Sequence, residues 1–152
     1  MKKNFNAKFN INNLEETVEL YGWVNKTRNL GGMIFIDLRD VSGIIQLVVN
    51  PENKNYDLAS TLKNEYVLKV IGKIVKRENI NPNIPTGEIE VIVDELEVLN
   101  TSLDLPFQLN NITATEDTRL KYRYLDIRTD NIKEKLITRS NITFAVREYL
   151  VN

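Results

Sequence analysis

The stretch that decides the fold is residues 33–49, MIFIDLRDVSGIIQLVV. In its first half, apolar residues alternate with residues of other types. The residues that share the apolar phase are Ile34, Ile36 and Leu38, and those in the other phase are Phe35, Asp37 and Arg39. The turn sequence DVSG at 40–43 then leads into a second apolar run at 44–49. This pattern predicts an antiparallel hairpin with one face in the core and the other in solvent.

The turn length also predicts the register of the hairpin. Four turn residues at 40–43 mean that the numbers of opposed residues sum to 83. Phe35 is therefore expected opposite Val48, and Asp37 opposite Gln46. Residues directly opposite each other point to the same side of a sheet, so Phe35 and Gln46 are expected to share the solvent face.

The rest of the first hundred residues adds three strands and a short helix. Strands are expected at 17–25, 66–75 and 89–98, and a helix at 56–62. In the last strand the apolar phase slips across Asp94-Glu95, which is typical of a β-bulge that bends a strand round a barrel. Three strands, a helix and two strands is the order of an OB-fold, an all-β, five-stranded Greek-key barrel that binds single-stranded oligonucleotides.

The sequence changes character after residue 100. Residues 101–130 are expected to form a helical hinge or linker, because Pro106 lies among many Asn, Thr and Ser residues. Residues 131–152 are expected to form a helix whose apolar residues extend past one stripe, with no later segment to cover them. The predicted division is therefore 1–100, 101–130 and 131–152. The chain is expected to be the amino-terminal piece of a longer protein, or to oligomerise through this helix.

Composition excludes several classes of function. The 152 residues include 0 Cys and 0 His, so a thiolate zinc site, a cysteine nucleophile and the commonest general base are excluded. The 20 Lys and Arg balance 21 Asp and Glu, so any nucleic-acid site must be local. No signal peptide or membrane-spanning stretch is apparent, and the expected compartment is the cytoplasm. No catalytic or metal-binding residue is expected in this chain.

The expected solvent face of the hairpin carries a combination that suits RNA. The Phe35 ring could stack on an unstacked base, and the Gln46 amide could read a base edge. Arg28, on the adjoining strand, could add a charged fork for phosphate or base. A structural interpretation stays open for each residue: an outward Phe is often ordinary sheet packing, and a single Gln or Glu90 is often a solvated surface residue.

Several motifs together resemble the anticodon-binding domain of bacterial-type aspartyl-tRNA synthetases, which are class II enzymes. The motifs are YGWVN at 21–25, RNLG at 28–31, IFIDLRD at 34–40, GIIQ at 43–46 and RLKYRYLDIR at 119–128. The similarity covers nearly the whole chain. The final helix resembles the opening of class II motif 1, whose helix forms the dimer interface in that family.

The resemblance implies a role for three strand residues. Phe35 would stack on the central anticodon uridine. Arg28 and Gln46 would hydrogen-bond the second and third bases.

It also implies roles for residues near the last strand. Arg77 and Asn79 match positions that contact the anticodon region. Glu90 matches an acidic residue associated with the first base, where a carboxylate can accept from a guanine edge.

For the parent protein, the resemblance implies aspartate–tRNA ligase activity through aspartyl-adenylate, and a homodimer. ATP and Mg2+ are implied for a catalytic domain outside this chain, and the chain alone is expected to be inactive. The expected partner is the anticodon loop of tRNA(Asp), with no membrane or DNA partner. Two alternatives stay open: an asparaginyl or non-discriminating Asp/Asn enzyme, and a non-enzymatic OB-fold protein that binds single-stranded nucleic acid.

Overall fold

Five β-strands close into a barrel in the order β1-β2-β3-β5-β4. The strands are β1 (Thr17–Leu30), β2 (Met33–Arg39), β3 (Ile44–Val49), β4 (Val67–Lys76) and β5 (Ile89–Asn100). Every neighbouring pair is antiparallel except β3 and β5, which are parallel. The computed structural model describes residues 5–109 and 113–151. Residues 110–112 of the expected linker and residue 152 of the expected final helix lie outside this part. The OB-fold expected from the sequence is confirmed.

The β2–β3 hairpin has the register that the sequence predicts. Phe35 pairs with Val48, and Asp37 pairs with Gln46. The apolar phase of β2 lies in the barrel core, where its residues are at most 2% exposed: Ile34, Ile36 and Leu38. The side chains of the other phase point outward and are partly exposed. The outer face of this hairpin is therefore available to form a surface site.

Strand β1 is longer than the sequence predicts, because it continues past residue 25 to Leu30. A register shift between Val24 and Lys26 bends the strand. Its first half pairs with β4 and its second half with β2, so one strand joins both walls. The turn to β2 consists of Gly31 and Gly32, both with positive φ, the conformation that a tight hairpin turn of this kind requires.

The predicted bulge in β5 is present. Ile71 pairs with Glu95 and Gly72 with Val93, so Asp94 is the extra residue. The barrel wall is tight at this point: a Cβ added to Gly72 would lie 2.3 Å from the carbonyl oxygen of Ile92. Gly72 therefore allows β4 and β5 to approach closely where β5 bends.

A short helix, α1 (Tyr56–Ser60), lies between β3 and β4, as predicted. It ends two residues earlier than the predicted 62. Ala59 is 1% exposed and Leu62, just beyond the helix, is 6% exposed, so both belong to the barrel core. The apolar spacing therefore predicts the buried residues of this segment correctly, although Leu62 lies beyond the end of the helix.

The chain divides into two compact units, Met1–Leu103 and Asp104–Asn152. Among its described residues, 104–109 and 113–151, the second unit contains three helices: α2 (Glu116–Lys121), α3 (Arg123–Asp126) and α4 (Asp130–Val151). Its small core consists of Phe107, Leu109 and Leu125. Most of the expected hinge, from Asp104 onward, and α4 fall within this unit, so the finer division at 100 and 130 stays a prediction.

Helix α4 leaves much of its apolar surface exposed. The apolar residues that are more than half exposed include Ile137, Ile142, Phe144, Tyr149 and Leu150. Among residues 5–109 and 113–151, no helix is both long enough and apolar enough to cross a bilayer.

Candidate nucleic-acid interface

A concave pocket of about 450 Å3 lies on the outer face of the barrel. The walls come from all five strands and from the segment that follows β4. All six candidate residues from the sequence line this pocket: Arg28, Phe35, Gln46, Arg77, Asn79 and Glu90. These residues span more than sixty positions of sequence, so only the closed barrel brings them together.

The Phe35 ring is placed by the ladder that flanks it on both sides. Phe35 lies opposite Arg28 in β1 and opposite Val48 in β3, and all three line the pocket. The ring is partly exposed. An aromatic ring next to a guanidinium group and an aliphatic side chain forms a platform on which a base can stack.

Gln46 shares the outward face with Phe35, as predicted, but the expectation that it is solvated is wrong. The residue is only 4% exposed. Two charged neighbours cover it: Arg28 Nη2 donates to Gln46 Oε1 at 3.3 Å, and Gln46 Nε2 donates to Glu90 at 2.7 Å. The side chain therefore forms part of the floor of the pocket, held at both ends.

The same neighbours determine which way the amide points. A guanidinium group can only donate hydrogen bonds, and an ionised carboxylate can only accept them. Gln46 must therefore turn its oxygen towards Arg28 and its nitrogen towards Glu90. In the flipped amide, the nitrogen would face the Arg28 donor and the oxygen would face the Glu90 acceptor. The orientation therefore follows from hydrogen-bond chemistry and not only from the positions of the atoms.

Two acidic side chains adjoin this amide, and the pKa of each is raised. Burial raises the pKa of Asp37, although the charges of Arg28, Arg77 and Lys26 oppose the shift. Burial also raises the pKa of Glu90, against the hydrogen bond from Gln46 and the charge of Arg77. Glu90 in the pocket and Asp37 behind it therefore take up protons more readily than ordinary surface carboxylates do.

Arg77 and Asn79 lie just after β4, at the rim of the pocket. The backbone N–H of Arg77 donates to the carbonyl of Glu88 at 2.9 Å, which continues the β4–β5 ladder past its last paired strand residue. The returning end of the loop is also anchored, because the Thr86 hydroxyl donates to the Ile44 carbonyl at 2.5 Å. The pocket lining therefore combines the positive charge of Arg77 with the carboxylate of Glu90.

Sequence reasoning missed the apolar part of the pocket and the acidic residue beneath it. Leu30 and Met33 flank the glycine turn and line the pocket, as does Ile92 in β5. Asp37 does not line the pocket but forms an ion pair with Arg28 at 2.6 Å. The alternation in β2 places Asp37 on the same face as Phe35, so this signal was available in the sequence.

Comparison with known proteins assigns the barrel to a family. The tRNA anticodon type of OB-fold nucleic acid binding domain matches residues 18–99. The chain belongs to this family. The remainder of this OB-fold protein also has a match, because residues 115–152 correspond to the class II tRNA synthetases for D, K and N.

Individual relatives of the OB-fold protein agree with this assignment. The aspartate–tRNA(Asp/Asn) ligase of Ruthia magnifica subsp. Calyptogena magnifica is 45% identical over 152 residues, which cover 99% of this chain and 26% of the relative. The aspartate–tRNA ligase of Lactobacillus johnsonii is 50% identical over 137 residues, covering 88% of this chain and 22% of the relative. The resemblance to aspartyl-tRNA synthetases is therefore confirmed. The chain spans about a quarter of the length of these relatives.

A solved structure has a similar fold. The asparaginyl-tRNA synthetase of Pyrococcus horikoshii matches with a TM-score of 0.86 at 29% sequence identity. The match covers 99% of this chain and 35% of the other. It therefore includes both the barrel and the helical unit.

Proposed function

We propose that the pocket binds the unstacked anticodon of tRNA(Asp), and that this chain is the decoding portion of an aspartate–tRNA ligase. One observation carries the proposal: the six residues that the sequence nominates for anticodon contact all line one pocket of about 450 Å3. A pocket of that size accommodates bases splayed from a loop, which is the form in which proteins read single-stranded RNA by sequence.

Stacking supplies the affinity in this proposal. The Phe35 ring is partly exposed within the pocket and receives the central anticodon uridine. A base stacked on an aromatic ring contributes about 1–3 kcal/mol. Arg77 and Lys76 at the rim add positive charge for the phosphates of the loop.

Hydrogen bonds supply the selectivity. Gln46 and Arg28 contact the second and third bases, and Glu90 accepts from the guanine at the first position. Asn79 contacts the anticodon region from the rim. Each of these groups lies at the pocket surface with a known donor or acceptor character, and such contacts specify sequence where phosphate contacts only position the RNA.

The parent protein is proposed to form aspartyl-adenylate from aspartate and ATP and to transfer the aspartyl group to tRNA in the cytoplasm, where translation takes place. ATP and Mg2+ bind outside this chain in the proposal. Among residues 5–109 and 113–151, no group of three or more acidic side chains is placed to hold a metal ion. The exposed apolar surface of α4 supports a homodimer of the parent.

The binding proposal is tested by titrating the full 152-residue chain with a fluorescent anticodon stem-loop that carries GUC. The stem-loop is expected to bind more tightly than one of equal length with a scrambled loop. Equal affinity for the two would contradict the proposal. In a separate assay, the chain alone is expected to show no aspartate-dependent pyrophosphate exchange, and measurable turnover would contradict its assignment as the decoding portion.

Discrimination between the Asp and Asn tRNAs is a second question that the comparisons raise. Relatives named for one tRNA and for both match this chain at similar identity. The strict aspartyl type predicts that the GUC stem-loop binds more tightly than the GUU stem-loop. Equal binding of the two would instead favour the non-discriminating type.

A further inference from the structure

Asp37 is an acidic group behind the pocket that reaches the Gln46 amide through Arg28. Its carboxylate accepts from Arg28 Nη2 at 2.6 Å, and it is 20% exposed. It pairs with Gln46 across the β2–β3 ladder but is not among the residues that line the pocket. The position of Asp37 suggests a role in orienting its neighbours and not in touching RNA.

A single nitrogen of Arg28 links this carboxylate to the amide. Nη2 donates both to Asp37 at 2.6 Å and to Gln46 Oε1 at 3.3 Å. Arg28 Nε is buried and has no hydrogen-bond partner among the described residues, so the guanidinium is held through Nη2. The short, charge-assisted bond to Asp37 is the stronger of the two and sets where Nη2 lies. The position of Nη2 in turn determines the longer hydrogen bond to Gln46 Oε1.

We infer that Asp37 is a positioning residue for base discrimination: through Arg28, it locks the Gln46 amide in the orientation that also satisfies Glu90. The inference rests on the proposed function of the pocket. Without the negative charge at position 37, the guanidinium is free to turn towards an RNA phosphate. Gln46 Oε1 then loses its partner, and the amide is held at the Glu90 end only.

The lock bears on the choice between pyrimidines. Cytosine offers an amino donor next to a ring-nitrogen acceptor, whereas uracil offers a carbonyl acceptor next to a ring N–H donor. An amide in one fixed orientation complements only one of these edges, while an amide that can flip complements either. A Gln46 amide held at both ends therefore distinguishes C from U at the base it reads more sharply than an amide held by Glu90 alone.

The experiment measures the affinities of the full chain for three stem-loops that carry GUC, GUU and GCC. These loops exchange C and U separately at the second and third positions. The proteins are the wild type, Asp37→Asn, Gln46→Ala and the double variant, with Asp94→Asn as the matched control. Asp94 undergoes the same chemical change at the exposed β5 bulge, away from the pocket.

The expected result concerns the ratio of the affinities for the stem-loops with C and with U. It is measured at the anticodon position where Gln46→Ala changes that ratio. Asp37→Asn should reduce that ratio roughly tenfold, as expected for loss of a base-edge contact. The double variant should lose no more discrimination than Gln46→Ala alone, because both changes act through the orientation of the Gln46 amide. Asp94→Asn should retain the wild-type ratio, and Asp37→Glu should recover part of it. Full discrimination by the Asp37→Asn protein would overturn the inference. A double variant whose loss of discrimination equals the sum of the two single losses would also overturn it.

A second measurement examines the lock without RNA. The side-chain amide protons of Gln46 should exchange slowly with solvent in the NMR spectrum of the free wild-type chain and faster in Asp37→Asn, while thermal melting confirms that both are folded. Unchanged solvent exchange overturns the lock even if RNA binding is normal. A wild-type chain that binds all stem-loops equally overturns the proposed function, and discrimination through Asp37 with it. These two failures can be told apart.

Discussion

Gln46 Nε2 donates a hydrogen bond to the Glu90 carboxylate at 2.7 Å, joining two strands that lie 44 residues apart in sequence. The contact runs between β3 and β5, the parallel pair of the barrel. It couples the group proposed to read a later anticodon base with the group proposed to read the first. A change in the charge of Glu90 should therefore alter both of these proposed base contacts.

The first prediction is a pH dependence of guanine selectivity. The pKa of Glu90 is raised, so Glu90 takes up a proton at a higher pH than an ordinary glutamate as the solution is acidified. A protonated carboxyl accepts less well from guanine. The preference for guanine over adenine at the first position should therefore fall on acidification, starting at a higher pH than the titration of an ordinary glutamate. Fluorescence titrations at each pH measure this ratio.

Glu90→Gln provides the control for that prediction. The variant has a similar shape but no charge, so its guanine preference should be weak at every pH in the range. A wild-type preference that stays constant as the solution is acidified through the ordinary glutamate pKa would contradict the role of the Glu90 carboxylate.

The second prediction concerns the stacking platform. Phe35→Ala should weaken binding of the GUC stem-loop by about 1–3 kcal/mol, because the ring provides the stacking surface. Its effect on folding should be smaller than that of a core substitution, since the side chain is only partly buried. Tyr21→Ala is the matched control, because Tyr21 is exposed on β1 and does not line the pocket. Equal losses in the two variants would argue against a platform at Phe35.

The third prediction concerns closure of the barrel. Gly72→Ala should lower the free energy of unfolding by about 3 kcal/mol, because the new methyl group meets backbone atoms that cannot easily move. Gly31→Ala should cost only about 1 kcal/mol, since its added methyl has nothing within 4 Å and only the positive φ is unfavourable. Denaturant titrations followed by Trp23 fluorescence compare the two. Equal costs would contradict the close approach at Gly72.

The fourth prediction concerns the helical unit. The Asp126 side chain is 0% exposed and accepts from Arg119 at 2.8 Å and also from Arg123. The hydrogen bond from Arg119 lowers the pKa of Asp126. Asp126→Asn should therefore destabilise this unit by removing the charge that both arginines face. Asp130→Asn is the control, because that carboxylate is 81% exposed.

The readouts separate the two units of the chain. Far-UV circular dichroism reports mainly on the helices, and Trp23, the single tryptophan, reports on the barrel. Since the pKa of Asp126 is lowered in the folded protein, its stabilisation is present above the ordinary aspartate pKa and disappears as the pH falls below it. Wild type and Asp126→Asn should therefore converge in acid. A difference that persists unchanged at low pH would contradict this account.

Local sequence patterns predicted much of the fold. The alternation in residues 33–39 and the length of the turn predicted the β2–β3 register correctly, because period and turn length are local properties. The phase slip at Asp94 predicted the bulge for the same reason. The extension of β1 to Leu30 was missed, because its last residues are polar and pair with β2 only after the strand bends.

The candidate site was predictable in its members but not in its contacts. Opposed residues in one hairpin placed Phe35 and Gln46 on one face, and the family resemblance added the others. The burial of Gln46 could not be predicted from the hairpin alone, because Glu90 approaches it from β5. Sequence spacing within one hairpin carries no information on which distant strand covers its outer face.

The parallel junction between β3 and β5 has a consequence for synthesis of the protein. During translation, the ring and the amide leave the ribosome well before the strand that carries Glu90. The nascent chain thus has no complete pocket until its fifth strand emerges and docks, so the RNA binding proposed for this site can begin only after most of the barrel has been synthesised.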